Sequence, residues 1–239
     1  MTENRRMTEN KDAAQEEGEL SISDFSQTSS QSWLWEKLAE KCVKNLNRHG
    51  FDAHFAPNTE AACILIMDMI ANHQTFGFGG SDTTRQLGIV EALKAKGKTV
   101  YDHWQAGLSK EEDLDIRLSQ GRCDCFFCSA NAISLTGEIV NMDGIGNRTN
   151  AMTFGPKKVV IVAGMNKVAQ DIHAALRRVR EIAGPMRAKS LGMETPCAET
   201  GICSDCNSPQ RICRVTAILH RKPMLTDISV ILINQSLGF

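Results

Sequence analysis

The sequence predicts an α/β fold built on a mostly parallel sheet. Two observations carry that expectation. Segments in which apolar residues recur at three- and four-residue steps alternate along the chain with short β-branched or aromatic runs. Strands alternating with helices of this length belong to crossover units rather than to a series of hairpins. The chain has 239 residues, 42% of them hydrophobic, which suffices for one sizeable core or a domain with an appendage.

Residues 1–31 are dominated by Asp, Glu, Ser, Thr, Asn and Gln, a composition that buries almost nothing and predicts a disordered acidic tail. Met-Thr-Glu-Asn occurs at Met1 and again at Met7 and reads as a duplicated start. From Ser32 the pattern is helical: Trp35, Leu38, Cys42 and Leu46 share one face, and Gly50 is placed to stop the helix. Residues 51–55 alternate like a strand. Asn58 or Thr59 caps a second helix running to Met69. A short strand over 75–78 ends in Gly79-Gly80, a helix follows over 83–96, and a strand covers 99–101. Ser109-Lys-Glu-Glu112 has the spacing of a capping box and predicts a helix to Gln120. Strands are expected over 123–128, 132–135 and 139–141, with a tight turn at Thr136-Gly137 joining the last two. Residues 158–162 form a strand of buried type, and 168–182 a helix ending at Gly184-Pro185. Residues 228–233 add a late strand.

Composition removes several function classes. The net charge is −1 and aromatics make up 5%, so neither a global field nor a stacking platform favours nucleic acid. No apolar run reaches the length of a membrane span, and the polar N-terminus has no signal core, so a cytoplasmic location is expected. Nine cysteines, an odd number in that compartment, argue against a disulfide framework and turn attention to metal or redox chemistry.

Two polar stretches are candidates for a ligand pocket. In Gly77-Phe-Gly-Gly-Ser-Asp-Thr-Thr84, between a strand and a helix, Gly79 and Gly80 let the backbone approach an anion, and the hydroxyls of Ser81 and Thr83 add donors. A plain turn capped by Ser81 or Asp82 explains the same residues. The spacing is neither the dinucleotide fingerprint nor the P-loop. The second stretch runs from Asn131 to Lys167. Asp143 is placed to orient a ligand hydroxyl or act as a general base, and Arg148 offers a planar fork for carboxylate or phosphate. Lys167 follows Val-Val-Ile-Val-Ala-Gly and so lies just past the C-terminal end of a strand, where open α/β sheets bind ligands. A salt bridge within the loop is the alternative for Asp143 and Arg148, and an exposed helix start for Lys167.

These stretches carry a family resemblance. Gly79-Gly80-Ser81-Asp82-Thr83, Asn131-Ala132-Ile133 with Thr136-Gly137, Asn141-Met142-Asp143-Gly144, Gly146-Asn147-Arg148, Gly155-Pro156 and Gly164-Met165-Asn166-Lys167 resemble, in order and spacing, the LUD domain family, that of lactate utilisation protein C. The resemblance covers about Trp33 to Pro185. It implies a three-layer α/β sandwich related to ribose-phosphate isomerases, glucosamine-phosphate deaminases and CoA transferases, with its pocket at the strand ends. The expected organisation is a tail over 1–31, a LUD domain over 32–190 and a Cys-rich metal-binding loop with a terminal strand over 191–239. The implied function is a part in iron–sulfur-linked oxidation of lactate or a related hydroxy acid, with a small anionic metabolite as ligand and iron–sulfur proteins as partners. Expected ligand-binding residues are Gly79, Gly80, Ser81, Thr83, Asn131, Thr136, Gly137, Asn147, Arg148 and Lys167. Two other readings stand beside it. One is an enzyme acting on a sugar phosphate, CoA thioester or folate-like ligand, with Glu138 or Asp143 as acid/base or nucleophile, on fold analogy alone. The other is a non-catalytic, redox-linked subunit or regulator.

The sharpest chemical signal lies outside those motifs. Cys197, Cys203, Cys206 and Cys213 are spaced Cys-x5-Cys-x2-Cys-x6-Cys. Four thiolates suit an iron–sulfur cluster or a structural zinc ion. Spacing does not separate the two, and the family resemblance tilts the expectation toward a cluster. Cys123, Cys125 and Cys128 read instead as core residues of a buried strand, with Cys123 and Cys125 on one face and Cys128 on the other. His103, just after a strand, is placed to reach the sheet edge, although a lone His is more often structural.

Overall fold

The structure is a computed structural model that describes residues 29–239. The tail expected over residues 1–28 lies outside the described residues, and Ser29 to Gln31 already belong to the first helix, α1 (Ser29–Arg48). After it come β1 (Asp52–Ala56), α2 (Thr59–Met69), β2 (Thr75–Phe78), α3 (Asp82–Gln86), α4 (Ile89–Ala95), β3 (Thr99–Asp102), α5 (Lys110–Gln120) and β4 (Cys125–Cys128). The second half adds β5 (Ala132–Ser134), β6 (Ile139–Asp143), α6 (Asn147–Thr153), β7 (Lys158–Gly164), β8 (Val168–Ala169), α7 (Ile172–Arg178), α8 (Gly184–Ser190), α9 (Pro196–Thr200), β9 (Val215–Leu219) and β10 (Asp227–Ile233).

The expected caps form. Asn58 accepts from the Ala61 amide at the start of α2, and Ser109 with Glu112 closes a reciprocal capping box on α5. Four predictions need correction. The helix expected over 83–96 is two short ones, because Gly88 takes a left-handed conformation with φ 65° between them. Asn147 and Arg148, expected in a loop, open a helix over 147–153. Residues 168–169 pair as a strand instead of opening a helix. Gly184-Pro185 does not end α7: the chain passes through a π-helical stretch, Val179–Ala183, into α8, where Pro185 sits in the first turn and needs no amide partner.

Six strands make an all-parallel sheet in the order β1-β10-β7-β4-β2-β3. The late strand is therefore central. Every residue of β10 from Ile228 to Ile233 is buried, paired with β7 on one side and β1 on the other. Residues 191–239 are thus no appendage to a domain ending at 190. A smaller sheet, β8-β5-β6-β9, lies on one side of the first.

Alternation along the strands divides the core. On one face Phe126, Cys128, Val159, Ile161, Val230 and Leu232 pack with Ala39, Cys42 and Leu46 of α1, Met152 of α6, and Ile133 and Ile139 of the small sheet. On the other, Cys125, Phe127, Val160, Val162, Ile231 and Ile233 meet Ala62 and Ile66 of α2 and Ile89, Val90 and Leu93 of α4. The outer face of the small sheet, through Ala132 and Val140, receives Ala175 and Val179. Cys123 joins the cluster of Cys128, not that of Cys125, because the strand begins at Cys125 and the preceding turn breaks the alternation. All three are buried. Among the described residues no helix is long and apolar enough to cross a membrane.

Candidate functional site

The C-terminal ends of β2, β3, β4 and β7 point the same way, and the segments that follow them line a cavity of about 400 Å3. Gly80 to Thr83 follow β2, His103 and Trp104 follow β3, Ser129 to Asn131 follow β4, and Lys167 follows β7. The start of α6 closes one wall with Asn147 and Arg148. The α7–α8 helix closes another with Ala183, Gly184 and Arg187, and Gly238 and Phe239 complete the lining. A ligand cavity at the carboxyl ends of parallel strands is the position that open α/β sheets provide.

Lys167 is the centre of this site. It is 4% exposed, and its Nζ donates to Thr83 Oγ1 and Ser129 Oγ, both at 2.9 Å. Among the described residues no carboxylate lies within ion-pair distance of it. Burial, followed by the positive charges of Arg178 and Arg148, pulls its pKa down to about 7. Two of its three possible donors are used, both on hydroxyls, and it faces the cavity.

Arg148 is in a different condition. Its guanidinium reaches Asp143 Oδ1 from Nε at 2.9 Å and from an Nη at 2.7 Å. It also donates to Asn131 Oδ1, to the Met142 carbonyl and to the Ser129 carbonyl. The other oxygen of Asp143 accepts from the Thr149 amide at 2.8 Å. This is what starts α6: Gly146 with φ 95° precedes it, and Asp143 supplies the acceptor that Gly146 lacks. Asn131 is locked into the same knot, its Oδ1 accepting from the Met142 amide. Asp143, Asn131 and Arg148 line the cavity but turn their hydrogen-bonding capacity on one another. Asn147 bridges Gln120 and Arg117.

The Gly-rich turn also serves packing. A Cβ on Gly80 would sit 3.0 Å from the indole nitrogen of Trp104. Gly79 packs against Arg148 and Phe126 and does not reach the cavity. Ser81 caps α3, accepting from the Thr84 amide at 3.3 Å, but α3 is only five residues long and the aligned dipole expected of a helix over 83–96 is not there. Thr83 donates to the Leu237 carbonyl while accepting from Lys167.

Three predicted residues lie elsewhere. Thr136, Gly137 and Glu138 form the β5–β6 turn beneath α1, away from the cavity. A Cβ on Gly137, at φ 102°, would approach the Asn45 carbonyl to 2.9 Å, so the glycine there serves the docking of α1. Glu138 accepts from the hydroxyls of Ser134 and Thr136, which close its own turn. The expectation of a catalytic Glu138 is therefore corrected by its place in the fold.

Several cavity residues carried little sequence signal. Trp104 lies between the guanidinium carbons of Arg85 and Arg187, 5.2 and 4.9 Å from its ring centroid. Arg187 also pairs with Asp82 at 3.0 Å. His103 is held by the amide of Gln120, which donates to its Nδ1 at 2.9 Å and is oriented by the carbonyls of Phe78 and Tyr101. That contact leaves the proton on Nε2, and burial, with Arg117 behind it, lowers the imidazole pKa to about 4. Ser129 was legible only through the rule that strand ends carry ligand groups.

Cys213, together with Ile212, lines the same cavity. The Cys-rich segment docks there, the Arg214 amide donating to the Asp143 carbonyl at 2.9 Å. Arg211 holds the segment together by bonding the carbonyls of Cys206 and Cys213 and the carboxylate of Asp205. Cys197 is on α9, its thiol beside the Thr195 hydroxyl. Among the described residues no three Cys, His, Asp or Glu side chains are gathered as a metal-ligand set. The four thiols in this conformation do not fit a cluster or a tetrahedral ion.

Comparison with known proteins agrees with the architecture. The crystal structure of a DUF162 family protein from Deinococcus radiodurans superposes with a TM-score of 0.50 at 14% identity, covering 83% of this chain and 98% of that one. No curated protein matches. A family model described as LUD domain matches residues 39–233, a span that runs from α1 to the last residue of β10 and takes in both sheets. The chain belongs to the LUD domain family.

Proposed function

We propose that this chain holds a small anionic hydroxy acid, or the keto acid derived from it, at Lys167 and acts in lactate-utilisation-type oxidation. The observation that carries this reading is a buried ammonium group with hydroxyl partners only, turned into a cavity. An anion entering beside it would supply the missing counter-charge. The LUD family includes lactate utilisation proteins, which selects the hydroxy-acid class. Calorimetric titration with lactate and pyruvate tests the reading. Binding is expected to take up protons between pH 7 and 8, because an anion raises the Lys167 pKa above its free value of about 7, and to weaken as pH rises beyond that range. Titrations without heat for either acid would refute it.

One feature favours a second ligand class. About 400 Å3 is more than a three-carbon acid fills, and Arg117 and Arg187 also line the cavity. A sugar phosphate, CoA thioester or folate-like ligand would place a further anionic group there. Titration with a sugar phosphate separates the two classes.

Cys197, Cys203, Cys206 and Cys213 are proposed as ligands of an iron–sulfur cluster, or of zinc, formed only when the segment closes. That requires α9 and the loop around Arg211 to move from their described positions. Iron with sulfide, or zinc, is expected in protein purified without oxygen, and each of the four Cys→Ser variants is expected to lose it. Metal-free protein would leave the segment as a wall of the cavity alone.

A further inference from the structure

Lys167 has a property that anion binding does not use. Its Nζ is buried, held at 2.9 Å by two hydroxyls, and among the described residues approached by no carboxylate within ion-pair distance. The charged groups acting on it are Arg178, Arg148 and, more weakly, Asp82. Arg178 is fixed on the carbonyls of Asn166 and Asn131, and Arg148 on Asp143. Two fixed guanidiniums beside a desolvated amine favour its neutral form, the form with a lone pair.

We propose that Lys167 is a nucleophile that forms an imine with the carbonyl carbon of an anionic ligand in this cavity. The inference rests on the reading that an anion binds there. The neutral Nζ attacks the carbonyl carbon, a C–N bond forms as the C=O π bond breaks, and one proton passes from nitrogen to the carbonyl oxygen to give a carbinolamine. That hydroxyl leaves as water with the second proton given up by nitrogen, the C–O bond breaks, and nitrogen keeps a double bond to carbon. Amine and carbonyl go to imine and water, with no change in oxidation state. Thr83 and Ser129 orient the nitrogen through their hydroxyls and are positioning residues. Both are linked onward, Thr83 to the Leu237 carbonyl and Ser129 to that of Ala130, so each hydroxyl proton points away and its oxygen faces Nζ. A keto acid carries both the charge and the carbonyl that this arrangement accepts, and so does a phosphorylated aldehyde.

Borohydride reduction of the full chain in the presence of pyruvate, and separately of glyceraldehyde 3-phosphate, tests this with peptide mapping by mass spectrometry. The expected result is one reduced adduct, on the peptide containing Lys167, lost in Lys167→Arg and diminished in Ser129→Ala. The wild-type map needs no variant to fold. An adduct with pyruvate supports both the imine and the keto-acid reading. An adduct at Lys167 with the aldehyde phosphate alone supports the imine and overturns the keto acid. Calorimetric binding of pyruvate without an adduct at Lys167, or adducts spread over exposed lysines such as Lys94, overturns the imine and leaves the anion reading standing. Neither binding nor adduct with either compound overturns both.

Discussion

Replacing Asp143 by alanine is expected to cost about 3–5 kcal/mol of stability, the scale of removing one partner of a buried ion pair. Arg148 is 12% exposed at its side chain, and Asp143 8%. With the carboxylate gone, the guanidinium keeps the Met142, Ser129 and Asn131 oxygens but loses its counter-charge. The same substitution strips the Thr149 amide of its acceptor at the start of α6. A domain of this size is stable by roughly 5–15 kcal/mol, so the loss is a large part of the whole. Urea unfolding followed by far-UV circular dichroism measures it. Asp143→Asn, which retains one acceptor oxygen, is expected to lose less. The double variant Asp143→Ala with Arg148→Met is expected to recover part of the loss, because it removes the stranded charge. A loss under about 1 kcal/mol in the single variant would mean that water reaches the guanidinium and that the pair is a surface one.

Lys167→Met is expected to act in the opposite direction and raise stability at neutral pH by an amount on the order of a few kcal/mol. The sign follows from linkage. The Lys167 pKa is about 7 in the folded chain against an ordinary 10.5, so between those values the unfolded chain binds the proton and the folded chain does not. Stability of the native protein therefore rises with pH across that window, and at pH 7 and below the cost of a buried charge is present in full. Methionine has no such cost. The advantage of the variant is expected to be largest near pH 6 and to shrink toward pH 10, read as a difference in urea midpoint. His103 adds a separate trend: with its pKa lowered to about 4 from 6.5, stability falls as pH drops between those two values, in wild type and variant alike. A Lys167→Met chain less stable than wild type at every pH would mean that the hydroxyl contacts to Thr83 and Ser129 outweigh the buried charge. A residue that destabilises the fold while lining its cavity is the pattern expected of a functional group.

Most of the parallel framework was legible because its signals are local. Asn58 and Ser109 announce their helices through caps, and 158–162 holds a β-branched apolar run of buried-strand type that the structure extends to Gly164. What escaped depends on distant partners. The helix at 147–153 begins Asn-Arg-Thr-Asn, in which Asn147, Thr149 and Asn150 are poor helix formers, and exists because Asp143 and a left-handed Gly146 start it. Val215 to Leu219 is an edge strand with its first residues exposed, and its pattern is too mixed to stand out. Gly184-Pro185 has the chemistry of a helix end, but the π-helical turn before it carries the chain through. At the site, Lys167 was found by its place after a strand. That Arg148 and Asp143 would occupy each other was the alternative kept open, and the geometry takes that side. The separation of Glu138 from the cavity was invisible, since Thr136 to Glu138 and Asp143 are neighbours in sequence and are parted only by the length of β6.

The position of β10 bears on how the molecule is made. β1 is complete at residue 56, yet its partner in the sheet spans Asp227–Ile233. On the ribosome the 170 residues 57–226 are synthesised between the end of β1 and the start of that strand. Until then β7 and β1 cannot pair through it, and each presents a bare row of backbone donors and acceptors to any neighbouring chain. Closing so distant a contact is slow, and the nascent protein passes through an interval in which β7, an almost wholly apolar strand, is unpaired along one edge.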